Sequence, residues 1–113
     1  MSDFARSVLF YETVLGPLGI AKLYEREGEA CFTHVNIVAR MPPTQEVHLC
    51  FHARSRDDVD AFHRARIDAG FSSNGAPGLR DYAAGYYAAY LLDPDSNNVE
   101  ALFRDVGNPD YAG

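Results

Sequence analysis

The groups in this chain best suited to chemistry are imidazoles and carboxylates that sit in strand-like runs, where side chains alternate between two faces. Across residues 46–53, Val47, Leu49 and Phe51 face one way and His48, Cys50 and His52 the other. The first set suits packing against a helix. The second puts a good ligand, His48, on a face without helical cover, where a cavity would form. The same alternation through residues 99–103 separates Val99, Ala101 and Phe103 from Glu100 and Leu102, which turns Glu100 toward the concave side. Along residues 32–38, Phe32, His34, Asn36 and Val38 share a face opposite Val35 and Ile37, so His34 and Asn36 join as weaker candidates.

Imidazole and carboxylate together suit zinc, iron, nickel or manganese, and a catalytic site keeps a coordination position open for water or substrate. Such chemistry needs three or four ligands. A histidine and a glutamate fifty-two positions apart are not a metal motif by themselves, and solvated or locally satisfied strand residues are the plain alternative. His52 reads as a simple surface residue, as does His63 on a helix among Arg64, Arg66 and Asp68. No phosphate-cradling glycine loop, nucleophile elbow or CxxC pair is present, so nucleotide-dependent, serine-hydrolase and thioredoxin-like chemistries have no support.

The elements that must position these groups are legible from periodicity and punctuation. Val8, Leu9, Tyr11, Val14 and Leu15 recur at helical spacing over residues 5–15, and Gly16-Pro17 stops the pattern. A second helix starts at Ser55, a good N-cap with Asp57 and Asp58 in the first turn, and carries Val59, Phe62, Ala65, Ile67 and Ala69 up to Gly70. Residues 20–26 and 30–40 are strand-like, 41–44 form a loop, and a strand spans 46–53. Residues 74–78, Asn-Gly-Ala-Pro-Gly, read as turn material, residues 86–92 as a strand, and 93–98 as a turn into a return strand over 99–103.

Sliding the chain by fifty-one positions lays Val8 over Val59, Tyr11 over Phe62, Gly19 over Gly70 and Ile20 over Phe71. The overlay predicts an internal repeat. In its second copy a strand precedes the helix, so the first copy should carry one just before Asp3, where the chain begins instead.

At 113 residues and 47% hydrophobic composition, the length suits one domain spanning 1–113, with a first module over about 1–41, a second over about 46–104, and a polar tail, 105–113. The formal charge of -6, without basic runs, argues against nucleic acid and anionic membranes as partners. The start has no apolar leader and no window is long enough to span a bilayer, which predicts a cytoplasmic protein. Cys31 and Cys50 are then expected to be free thiols and small buried hydrophobes.

Residues 5–19, ARSVLFYETVLGPLG, resemble the first helix of the vicinal oxygen chelate group, that is, the glyoxalase, bleomycin resistance and extradiol dioxygenase proteins. VDAFH at 59–63, GAPGLR at 75–80, GYYAAY at 85–90 and DPDSNNVE at 93–100 are similar to a glyoxalase-like branch of that group. The resemblance runs from Ser2 to Phe103. It implies an α+β fold of two βαβββ modules, a mixed sheet curled around a cavity, here without the first strand of module one, and often a homodimer.

In the metal-dependent members of that group, ligands come from the first and last strands of each module. His48 and Glu100 match the metal-ligand positions of module two, with Glu100 also placed to move a proton as the catalytic carboxylate. Asn36 is a poor counterpart in module one. The resemblance implies one divalent metal, zinc, nickel, iron or manganese, and lyase, isomerase or dioxygenase chemistry on a small oxygenated molecule. Alternatively it implies a metal-free binding protein of the bleomycin resistance type whose aromatic walls come from Tyr82, Tyr86, Tyr87 and Tyr90, or a dimeric remnant without activity. Ordinary strand packing is the competing role for those tyrosines.

Overall fold

The structure is a computed structural model, and it describes residues 3–33, 35–39, 45 and 47–104. It is a mixed α+β arrangement in which the described residues form two helices and two open sheets. Helix α1, Phe4–Leu15, is capped by Asp3, whose side chain accepts from the Arg6 amide at 3.1 Å. It buries Val8, Phe10, Tyr11, Val14 and Leu15 and runs into a single 3-10 turn, Gly16–Leu18. Helix α2, Arg56–Ala69, is capped by Ser55 Oγ, which accepts from the Asp58 amide at 3.1 Å. The two aspartates of its first turn complement the positive end of the helix.

The fifty-one-residue overlay is visible in three dimensions. Val8 and Val59 are both buried, as are Tyr11 and Phe62, and Ile20 and Phe71. Gly19 and Gly70 close the two helical segments with φ of +79° and +76°, a left-handed conformation that glycine adopts without a Cβ penalty. Residues from both helices and both sheets share one core, in which the Phe10 ring meets Phe71 edge-on at 5.0 Å. Ile67, expected on the packed face of α2, is 62% exposed. Among the described residues the fully buried stripe of α2 is confined to Val59 and Phe62.

The first sheet is an antiparallel meander of β1, Lys22–Arg26, β2, Glu29–Phe32, and β3, Asn36–Val38. The strand-like stretch thus supplies two strands, β2 and β3. The Phe32 amide donates to the Val35 carbonyl at 2.8 Å, and this tight turn resets the alternation: Phe32 and Ile37 are buried while Asn36 is exposed. The expectation that Phe32 and Asn36 share a face fails for that reason.

The second sheet has the order β4-β7-β6-β5, with β4, His48–His52, β5, Ser72–Leu79, β6, Tyr86–Leu92, and β7, Asn98–Arg104. Strand β4 runs parallel to β7, and the other pairs are antiparallel. Residues 74–78 lie within a strand and not in a turn. Among the described residues β5 is an edge strand paired only to β6, with register breaks between Ser73 and Gly75 and between Gly75 and Gly78. An edge accommodates Pro77, which has no amide hydrogen to donate, and the breaks absorb the glycines.

Helix α2 covers one face of this sheet. The β6–β7 turn is locked by Asp93, which accepts from the amides of Asp95 and Asn97 at 2.9 Å each and from the buried Tyr11 hydroxyl at 2.7 Å. Among the described residues β3 pairs only with β2 and β4 only with β7, so the sheets are not closed. A cavity of about 600 Å³ lies along these edges, lined by Leu18, Ile20, Val35, Leu49, Phe51 and Arg54 among others. No helix among the described residues is long and apolar enough to cross a membrane.

Candidate functional site

Strand alternation in β4 sends Phe51 into the core and leaves His48, Cys50 and His52 exposed on the face away from α2. The β4–β7 register sets His48 beside Asn98 and Cys50 beside Glu100, and the β6–β7 register sets Tyr90 opposite Glu100. These pairings bring residues from both halves of the module together. His48 Nε2 lies 2.7 Å from Glu100 Oε1, and the Tyr86 hydroxyl donates to Glu100 Oε2. The Glu100 side chain is only 2% exposed, whereas that of His48 is 52% exposed. The carboxylate is thus held in the sheet with a donor on each oxygen while the imidazole reaches solvent. A buried carboxylate needs such partners, since an unpaired one costs several kcal/mol in a low-dielectric interior.

The buried carboxylate dominates the local electrostatics. Burial and then the hydrogen bond to Glu100 push the Tyr86 phenol above its usual range. Burial and then the Glu100 charge push Tyr90 up to about 12 and the Cys50 thiol up to about 11. These groups keep their protons at neutral pH and are available as hydrogen-bond donors.

Other expected members of the site are distributed as follows. Tyr82, 72% exposed, meets Tyr86 edge-on at 5.1 Å, and Tyr90 meets the His48 ring at 6.2 Å, so Tyr82, Tyr86 and Tyr90 form a wall beside the His48–Glu100 pair. Tyr87 is set apart from them. It follows Tyr86 directly on β6 and so points to the opposite face, where its hydroxyl donates to Asp60 Oδ1 at 2.5 Å and Arg56 stacks on its ring at 4.5 Å. Asn36 stands exposed on β3 in the other sheet, and His34 lies outside the described residues. His63 is partly buried and engaged, its Nε2 2.7 Å from Ser73 Oγ and its Nδ1 3.1 Å from Arg66 Nη1. Neither cysteine is fully buried: Cys31 is half-buried and Cys50 exposed, both as free thiols.

Reading the sequence missed Arg80 and the amides around it. A second cavity of about 300 Å³ is lined by Asn74, Gly75, Arg80, Tyr82, Tyr90 and Asn98. It shares Tyr90 with the His48 wall and lies one alternation along β7 from Glu100. The signal was present as two glycines, in a stretch 74–78 read as turn material, close before Arg80.

The donor set fits a divalent metal in part. Two ligands of one ion, each about 2.0–2.2 Å from it, stand about 3 Å apart, close to the 2.7 Å between His48 Nε2 and Glu100 Oε1. Replacing the proton they share by an ion requires only a small separation of the pair. Among the described residues no group of three or more His, Cys, Asp and Glu side chains is clustered to hold a metal, so His48 and Glu100 are at most part of a ligand set.

Comparison with known proteins shows the family. Residues 1–101 match the profile described as Glyoxalase/Bleomycin resistance protein/Dioxygenase superfamily. The chain is similar to the crystal structure of a glyoxalase/bleomycin resistance protein from Albidiferax ferrireducens T118, with 32% identity, a TM-score of 0.75 and 90% of each chain covered. It shares the fold of a lactoylglutathione lyase from Agrobacterium tumefaciens, at 19% identity and TM-score 0.63, covering 89% of this chain and 85% of that one. It also shares the fold of the genomically encoded fosfomycin resistance protein FosX from Listeria monocytogenes, at 16% identity and TM-score 0.66, covering 90% of this chain and 84% of that one. No curated protein matches the chain.

Proposed function

We propose that this chain, which belongs to the Glyoxalase/Bleomycin resistance protein/Dioxygenase superfamily, takes a small oxygenated molecule onto the uncovered face of its four-stranded sheet, with His48 and Glu100 as ligands of one divalent metal. The observation that carries this reading is the convergence of a solvent-reaching imidazole on a buried carboxylate across parallel strands. Zinc, nickel, iron or manganese suits this mixed nitrogen and oxygen pair, and such an ion supplies Lewis-acid stabilisation of negative charge on a substrate oxygen. Glu100 is also the carboxylate placed to accept a substrate proton, with Tyr86 holding its second oxygen in position. Tyr82, Tyr86 and Tyr90 give the ligand an aromatic wall.

On this reading the chain works as one domain of two modules, 1–41 and 46–104, in the cytoplasm and as a homodimer. The open edges of β3 and β4 favour dimerisation, and a second copy would supply the ligands that His48 and Glu100 lack. Metal content by mass spectrometry, on protein purified without chelators or a histidine tag, tests it. Near-stoichiometric metal, lost in both His48→Ala and Glu100→Ala, is expected. No metal in the unmodified protein overturns the metal reading.

A specific observation favours a second reading, metal-free binding: both Glu100 oxygens already take donors from the chain, His48 and Tyr86. A ligand screen that raises the melting temperature where zinc does not would select it.

A further inference from the structure

Two glycines in β5 mark a second feature of the same face. A Cβ at Gly75 would stand 2.8 Å from Tyr90 Cδ2 and 3.4 Å from Arg80 Nη2, and one at Gly78 would stand 3.0 Å from Arg80 Nη1. Glycine weakens a strand, and its usual justification there is the close approach of another group. At Gly75 that group is the Tyr90 ring, with Arg80 behind it, and at Gly78 it is the Arg80 guanidinium. The Arg80 side chain folds back along β5, its Nη2 donates to the Ala76 carbonyl at 2.7 Å and its Nη1 to Leu79 at 3.5 Å, and its guanidinium stacks over the Tyr90 ring at 5.3 Å. An arginine so held has surrendered the rotamer freedom that a surface arginine keeps. Of its five N–H donors several remain for a ligand, and among the described residues it makes no ion pair with a carboxylate.

Its surroundings are donors too. The Asn74 and Asn98 side chains, 3.0 Å apart from Nδ2 to Oδ1, line the same cavity with Tyr82. The Tyr90 hydroxyl, on a residue 8% exposed, is buried beside Tyr82, which lines the same cavity. In a chain of net charge -6, a fixed and unneutralised guanidinium over an aromatic ring, ringed by amides and hydroxyls, is a place for negative charge.

We propose that Arg80, stacked on Tyr90 and flanked by Asn74 and Asn98, forms an oxyanion subsite that holds a carboxylate or phosphate group of the ligand next to His48 and Glu100. This deepens the proposed function and rests on its placement of the ligand on this face, but it does not depend on a metal. The ligand class that follows is a small oxygenated acid. Its anionic end is fixed by Arg80 while its other oxygens reach the His48–Glu100 pair, and so Arg80 positions the substrate and sets specificity.

The test is a titration of inorganic phosphate and, separately, acetate into the full chain, followed by amide and side-chain amide NMR signals of Asn74, Gly75 and Asn98, before and after chelator treatment. Saturable shifts with at least one probe are expected, unchanged by chelator. Arg80→Gln should weaken binding at least tenfold with signal dispersion intact, and Arg80→Lys should weaken it less, since charge remains and the planar stack is lost. Saturation by phosphate alone or acetate alone names the oxyanion. Absence of saturable shifts with both probes overturns the subsite, as does undiminished binding in a folded Arg80→Gln protein. Shifts that vanish with chelator overturn it as well. The metal reading fails separately, if the unmodified protein binds phosphate but no metal.

Discussion

His48 and Glu100, fifty-two positions apart, stand with Nε2 2.7 Å from Oε1, and the carboxylate behind that contact is buried while the imidazole in front of it is open to solvent. This polarity, solvent-facing nitrogen over buried oxygen, is what makes the pair a receiver of a ligand from the outside. It also leaves Glu100 as the local source of negative charge for Tyr86, Tyr90 and Cys50.

The Cys50 thiol should consequently be sluggish despite its exposure. With its pKa pushed up to about 11, first by burial and then by Glu100, the thiolate fraction at pH 8 is about a thousandth, against roughly a quarter for an ordinary cysteine. In a Cys31→Ser background, alkylation of Cys50 by iodoacetamide at pH 8 should be at least tenfold slower than that of a small free thiol. Glu100→Gln should accelerate it severalfold, and an unchanged rate would mean that the charge of Glu100 does not reach the sulfur.

Tyr11 ties α1 to the β6–β7 turn through Asp93 at 2.7 Å, with both groups buried. Tyr11→Phe removes one donor from Oδ2 of a buried carboxylate that keeps the Asn97 side-chain amide on Oδ2 and the backbone amides of Asp95 and Asn97 on Oδ1. The expected loss is about 1–3 kcal/mol in urea unfolding, at the upper end if water does not replace the hydroxyl. A loss under about 0.5 kcal/mol would show that the amides of Asp95 and Asn97, with the Asn97 side chain, satisfy Asp93 without the tyrosine.

Ser96 is the one non-glycine among the described residues with positive φ, at +67°. That conformation costs an L residue about 1–2 kcal/mol, part of which glycine gives back through its freer unfolded chain. Ser96→Gly should stabilise the protein by about 0.5–1 kcal/mol and raise Tm by a few degrees in calorimetry. A lower Tm would mean that the serine side chain contributes more than its backbone costs.

His63 carries a pH dependence of definite sign. Burial first, and Arg66 second, hold its pKa below the usual value, with Asp60 opposing. Its Nδ1 faces an Arg66 N–H, so the neutral ring is the one that fits. The unfolded chain therefore binds this proton more readily. Stability should be lost as pH falls below about 6.5, with the loss levelling off under the folded-state pKa. Chemical denaturation of the unmodified protein and His63→Gln between pH 7.5 and 5 should show a shallower decline in the variant, and parallel curves would exclude His63 as the cause.

The unpaired edges of β3 and β4 predict self-association. Light scattering at micromolar concentration should give a dimer mass, and a lysine introduced at half-buried Leu49, which lines the cavity along that edge, should weaken it. A monomer across the concentration range would leave the ligand set of His48 and Glu100 without its second copy.

Much was legible in the residues alone, where the signal was local. Ser55 and Gly70 bracket α2 because a hydroxyl at an N-cap and a glycine at a left-handed C-cap act within a turn of their own position. The faces of β4 and β7, with His48 and Glu100 on the uncovered side, follow from a two-residue period that holds wherever a strand is unbroken. The match of Val8, Tyr11 and Gly19 with Val59, Phe62 and Gly70 survives as a match of burial and backbone conformation.

What the tertiary structure decided is which strand lies beside which, and where periodicity restarts. His48 meets Glu100 because a helix carries the chain over the sheet so that β4 docks parallel to β7, a pairing that no local pattern encodes. Tyr86 and Tyr87 part company across β6, and Asn36 leaves the face of Phe32, because a sheet pleat and a tight turn set direction residue by residue. Residues 74–78, turn-like by composition, became a strand because β6 offered an edge, and Gly75 there lets the Tyr90 ring approach the backbone. Backbone preference is a property of neighbours in sequence, whereas a site is a property of neighbours in space.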